Sequence, residues 1–170
     1  MIVLRHILSI LLLPTVMAGV VPYLIVSSRP FPAWPGDGLG IAAVIGGVCV
    51  LALGLGLVCT TVWQFATVGR GTLAPWDPPK HFVVTGLYRH VRNPMMTGVI
   101  LVLLGEALAL RSPGVLEWAG TFAVINAIYI PLLEEPMLEA RFGEEYREYK
   151  RNVRRWVPRL RAWEPPHPEA

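Results

Sequence analysis

Residues 38–69 read GLGIAAVIGGVCVLALGLGLVCTTVWQFATVG, 32 residues without one Asp, Glu, Lys or Arg. A helix rises about 1.5 Å per residue and a bilayer core is about 30 Å thick, so about 20 apolar residues cross it. The run exceeds that length. Inside lipid a single segment satisfies its own backbone groups only as a helix. The stretch therefore predicts a membrane-spanning helix and, with it, the class of the whole chain.

Working outward, Ile7 to Val26 is a second charge-free run, of 20 residues. Met95–Leu110 and Leu116–Leu133 are two further apolar runs, carrying Glu106 and Glu117 respectively. The chain has 170 residues, 54% hydrophobic and 16% charged, with a mean hydropathy of +0.49. That balance excludes an ordinary soluble domain. The expected architecture is all-α: an integral membrane bundle of about four transmembrane helices followed by a C-terminal amphipathic helix. Arg5 ahead of the first run, with the small residues of TVMAGV, also fits a signal peptide. The run continues through VPYLIV to full spanning length, which a signal peptide does not need.

Four spans sort the basic residues by side. Arg5, Arg70, Lys80, Arg89, Arg92 and the eight Lys or Arg after Leu133 fall on one side, Arg29 and Arg111 on the other. The positive-inside rule then places both termini and the 69–94 loop in the cytoplasm. No nucleic-acid partner and no metal centre are expected. Cys49 and Cys59 lie ten residues apart on one span, about 15 Å and beyond disulfide reach. Ala43, Gly47, Ala52, Gly54 and Gly56 offer small faces for close helix packing.

The second polar feature is GLYRHVRNPMMTG, residues 86–98, at the lip of the third apolar run. Asn93-Pro94 has the form of a helix start, with Asn capping and Pro at the first helical position. The positive end of that helix meets Arg89, His90 and Arg92, which makes an anion site at the membrane surface. The bland reading is basic anchors that snorkel to lipid phosphates. At the end of the fourth run, Glu134 and Glu135 precede Pro136. Leu138, Phe142, Tyr146, Tyr149 and Val153 then form one apolar stripe, which lies in the interface or folds back over the polar cluster. Gly143 interrupts this helix and predicts a bend.

The order GLYRHVRNPM, then LGEAL, then EEPMLEARFGEEYREY and RWVP, resembles the isoprenylcysteine carboxyl methyltransferase family and its relatives among phospholipid N-methyltransferases. The resemblance covers residues 69–160, including GRGTLAPWDPP. It divides the chain into an N-terminal helix pair, 1–68, and a family-like catalytic half, 69–170. It implies an integral membrane enzyme, of the bacterial inner membrane, that transfers a methyl group from S-adenosylmethionine to a lipophilic or membrane-embedded acceptor. The cofactor's carboxylate would suit Arg92, His90 and the amides after Asn93 and Pro94, and its ammonium or ribose hydroxyls would suit Glu134 or Glu135. Tyr88, Phe142, Tyr146 and Tyr149 could bracket the adenine, with Gly105 completing the expected cofactor set. Arg92 and Glu106 are the expected catalytic residues, Glu106 as a base for a protonated acceptor or, equally, a structural hydrogen-bonding group.

Asn93 stands where prenylcysteine methyltransferases usually have His, and Met96 where they have an aromatic residue, which leaves the acceptor open. Two other function classes remain on sequence grounds. One is an NADPH-using membrane reductase on a related scaffold. The other is a non-catalytic transporter or assembly protein, although only Glu106 lies deep in a span and no internal repeat is present.

Overall fold

A computed structural model describes residues 15–28, 36–64, 67 and 84–164. Among the described residues 81% are helical and none is in a strand. A π-helical turn, Val16–Val20, leads into α1 (Val21–Ser27). The long helix α2 is Gly38–Gln64. A 3-10 turn, Gly86–Arg89, precedes α3 (Pro94–Ala109), and α4 follows at Pro113–Tyr129. A π-helical segment, Ile130–Glu134, joins α4 to α5 (Glu135–Asn152) without a break.

Among the described residues two helices are long and apolar enough to cross a membrane: α2, and the apolar part of the continuous Pro113–Asn152 helix. The helical stretches Val16–Ser27 and Pro94–Ala109 are apolar but shorter. The beginning of the first expected span, the basic residues Arg70 and Lys80, and the segment GRGTLAPWDPP lie outside the described residues.

The three buried residues of α2 are Gly47, Gly54 and Thr61, one every seven residues, while Leu39, Ile45, Leu53 and Trp63 are exposed. Such a seam on an otherwise outward-facing helix is what lipid favours, because close backbone approach rather than apolar burial drives helix pairing there. The seam meets a matching pair on α3. A Cβ placed on Gly54 would stand 2.6 Å from the backbone nitrogen of Val102 and 2.8 Å from the carbonyl oxygen of Gly98. One placed on Gly47 would stand 2.9 Å from the carbonyl oxygen of Gly105. The helices touch backbone to backbone.

Of the five small residues that the sequence offers, Gly47 and Gly54 therefore make the contact. A Cβ on Gly56 meets nothing within 4 Å. Gly54→Leu should push α2 off α3 and cost about 1–3 kcal/mol of stability, as overpacking does. Gly56→Leu should be neutral, and thermal unfolding in detergent compares the two.

Helix α4 starts at a Ser112 cap whose Oγ accepts from the Val115 amide at 3.4 Å. Its Ala119 and Phe122 pack on Val99 and Leu103 of α3. The Trp118 Nε1 donates to the Met17 carbonyl oxygen at 2.9 Å, tying α4 to the turn before α1. Cys49 and Cys59 are both exposed free thiols.

Helix α5 bends at Gly143, where φ is 58° and ψ −129°, a combination that essentially only glycine adopts. A Cβ there would meet nothing within 4 Å, so the constraint is conformational alone. Gly143→Ala should cost about 1–3 kcal/mol. A loss of that size in thermal unfolding, without a change in helix content, identifies strain rather than unfolding of α5.

Candidate active site

The site begins where α2 ends. The Gln64 side chain lies over Gly86, its Cδ 2.7 Å from where a Cβ would stand. Gly86 also has φ 52°, so glycine serves both the close approach and the turn. The 3-10 turn places Tyr88, Arg89 and His90 one after another beneath the C-terminal tail.

The tail grips that turn mainly through backbone groups. The Arg92 amide donates to the Arg154 carbonyl oxygen, the Arg159 amide to that of His90, and the Trp163 amide to that of Arg89, each at 2.9 Å. Side chains add to the grip. Arg89 Nε donates to the Trp163 carbonyl oxygen at 2.7 Å and its guanidinium pairs with Glu164 at 3.0 Å. His90 Nδ1 lies 2.8 Å from the Arg159 carbonyl oxygen and is therefore the protonated nitrogen in that contact. Arg89 and His90 hold the tail.

The apolar stripe of α5 takes the inward course of the two that the sequence allows. Tyr146, Tyr149 and Val153 bury against Trp163, with Val84, Leu138 and Phe142 at the margin. The Tyr149 hydroxyl donates to the Tyr88 carbonyl oxygen at 2.7 Å. The bend at Gly143 falls inside this stripe, so both halves of α5 contribute to one apolar wall.

At the centre stands Glu135, 2% exposed. Three cations surround it: Arg155 Nε at 2.7 Å, Arg92 Nη1 at 3.0 Å and Lys150 Nζ at 3.3 Å. Burial alone would raise its carboxyl pKa. The hydrogen bond from Arg155 and the charges of Arg92 and Arg155 outweigh burial and hold it below the usual carboxylate range. Burial, with the charge of Glu135, pushes the Tyr146 hydroxyl up to about 12, so it stays neutral, with its oxygen accepting from Arg92. Glu135 is thus an ionised carboxylate held among three cations, hydrogen-bonded to Arg155 and ion-paired with Arg92 and Lys150.

Arg92 is incompletely used. Its side chain is 10% exposed, yet Nε has no hydrogen-bond partner and Nη1 meets Glu135 as an ion pair without hydrogen-bond geometry. Beside it, α3 begins at Asn93 and Pro94 as the sequence predicts, but the Asn93 side chain does not cap the helix. The Asn93 carbonyl oxygen instead accepts from both the Thr97 amide, at 3.1 Å, and the Thr97 hydroxyl, at 2.9 Å. The amides of the first turn are left without a capping side chain. A guanidinium with a buried Nε that has no partner among the described residues, next to an uncapped helix start, is a fit for an anionic group.

Tyr88, His90, Arg92, Asn93, Pro94, Glu135, Tyr146 and Tyr149 are brought together here, with Glu134 and Phe142 on the adjoining turns. Two expected residues are elsewhere. Gly105 sits in the α2–α3 seam, facing Gly47 and Leu51. Glu106 lies twelve residues along α3 from Pro94, about 18 Å of helical rise. Sequence reading also passed over Lys150 and Arg155 as partners of Glu135, and over Gln64 and Thr85. The last two carry buried oxygens with no partner beside the same turn. A buried carboxylate requires cations, but spacing alone cannot tell which of the tail's basic residues will turn inward.

Comparison with known proteins shows the family. Residues 42–145 match the model of the phospholipid methyltransferase family, more than half of the chain, and that range contains most of α2, all of α3 and α4, and Arg92 and Glu135. An uncharacterized protein of Haemophilus influenzae is 42% identical over 66 residues, which is 37% of this chain and the whole of that protein. A phosphatidylethanolamine N-methyltransferase of Pyrenophora tritici-repentis is 28% identical over 126 residues, 66% of this chain. The matched region spans only 14% of that fungal enzyme. No solved structure matches. A chain of apolar helices with a charged site at one helix end, matched across its central part by this family model, belongs to the phospholipid methyltransferase family.

Proposed function

We propose that the chain is an S-adenosylmethionine-dependent methyltransferase of the membrane, acting on a lipid of the phosphatidylethanolamine kind presented from the bilayer. The observation that carries the reading is Arg92: paired with Glu135, and left with a buried Nε that has no partner among the described residues, beside the uncapped start of α3. Family membership and the name of the fungal relative support the reaction class and the lipid acceptor. They favour it over a reductase or a non-catalytic protein. The motif order shared with isoprenylcysteine carboxyl methyltransferases supports the same cofactor region.

When bound, S-adenosylmethionine supplies a methyl group on a sulfonium centre. Arg92 and the first amides of α3 would hold its carboxylate, and Glu134 its ammonium or ribose hydroxyls. Glu135 keeps Arg92 in place. Tyr88, Phe142, Tyr146 and Tyr149 would form the aromatic wall, while the tail, fastened by Arg89 and His90, excludes water. Methyl transfer asks for an in-line approach and a dry site more than for covalent help from the protein.

In the bilayer this reading has four spans, with both termini and the site on the cytoplasmic side of a bacterial inner membrane. The skew in Lys and Arg supports that orientation. A reporter fused after Ala170 should read as cytoplasmic; a periplasmic signal overturns the orientation. For the reaction, purified protein in phosphatidylethanolamine vesicles should move label from methyl-labelled S-adenosylmethionine into lipid. Binding of the cofactor without lipid labelling would contradict the acceptor. Failure to bind it would contradict the activity.

A further inference from the structure

A second polar feature lies far from the first, towards the other end of α3. A groove of about 560 Å³ opens between α1 and α3. Pro22, Tyr23, Val26 and Ser27 line one side of it, Glu106 and Leu110 the other. The volume is that of a small-molecule pocket. Glu106 Oε2 is buried and has no hydrogen-bond partner.

A carboxyl on an apolar helix is costly to insert unless it meets a partner or a cavity. Among the described residues the lining of this groove carries no basic side chain. The described lining of the groove thus offers Glu106 no complementary charge. What fits is a molecule with a positively charged N–H donor for the carboxyl and an aliphatic body for Pro22, Val26 and Leu110. A charge-assisted hydrogen bond in these low-dielectric surroundings is stronger than one from a neutral hydroxyl. The groove is within reach of lipid, because Tyr23 and Leu24 of α1 are exposed on the apolar exterior.

We propose that this groove is a binding site for a long-chain ammonium amphiphile of the bilayer, with Glu106 accepting from its headgroup. The site is separate from the Arg92–Glu135 cluster and does not rest on the methyltransferase reading.

The test uses the full chain in detergent at pH 7, with dodecylamine and 1-dodecanol as probes at equal mole fractions in the micelle. The concentration dependence of thermal stabilisation gives the affinity. Dodecylamine should stabilise the parent, and Glu106→Gln should weaken that binding at least tenfold while leaving any response to 1-dodecanol unchanged. Val26→Trp, which fills the groove and keeps Glu106, should lose the dodecylamine effect too. It decides the case if Glu106→Gln does not fold. Equal stabilisation of parent and Glu106→Gln by dodecylamine, equal effects of amine and alcohol on the parent, or an undiminished response in folded Val26→Trp would each overturn the proposal.

Discussion

Glu135→Ala should cost about 3–5 kcal/mol of stability, the largest loss expected of any single substitution in this chain. The carboxylate is 2% exposed and lies 2.7–3.3 Å from Arg92, Lys150 and Arg155. Removing it leaves Arg92, whose side chain is 10% exposed, and Arg155 without their carboxylate, and Lys150 with Glu139 alone. Glu135→Gln keeps the shape without the charge, so it should recover little. The effect is also tied to pH. Because folding lowers the Glu135 pKa, its contribution is fully present above the unfolded carboxyl value of about 4.3. It is lost as pH falls through the lower folded value. Denaturation curves should therefore show a gap between parent and Glu135→Gln that is constant at neutral pH and closes only under acid conditions below that range. A gap that is small at pH 7, or that widens on acidification, would contradict the central place given to Glu135.

Arg92→Ala should abolish most cofactor binding. One charge-assisted hydrogen bond to a ligand contributes about 1.5–3 kcal/mol, so affinity for S-adenosylmethionine should fall tenfold or more. Glu135 would still have Lys150 and Arg155, so the variant should remain folded. Arg161 is an exposed residue of the same tail, and Arg161→Ala should bind as the parent does. Calorimetry in detergent separates the two. Unchanged affinity in folded Arg92→Ala would reduce the 86–94 motif to a structural hub.

The charge-free run at 38–69 announced α2, because nothing but a helix satisfies so many apolar residues in lipid. The seam was less legible. Five small residues looked equivalent, and only the match to Gly98 and Gly105 on α3 selects Gly47 and Gly54. Asn93-Pro94 correctly marked the start of α3, yet the Asn side chain does not cap it, since a cap depends on a local rotation that composition does not encode. The polar cluster was visible as Arg89, His90 and Arg92, but not its division of labour. Arg89 and His90 bind the backbone of residues about 70 positions away. Carbonyl oxygens carry no residue signature, so that grip could not be read. Glu106 was visible as a deep carboxylate, and its distance from Arg92 follows only once α3 is a straight helix with Pro94 at one end.

The most direct test of the account is where the cofactor touches the chain. Ultraviolet cross-linking of methyl-labelled S-adenosylmethionine to the purified protein, followed by peptide mapping, reads this without assuming an acceptor. The account predicts label on peptides containing residues 86–98 or 134–149, suppressed by excess unlabelled cofactor and lost in Arg92→Ala. Competable label confined to peptides from 15–28 or around Glu106 would contradict it.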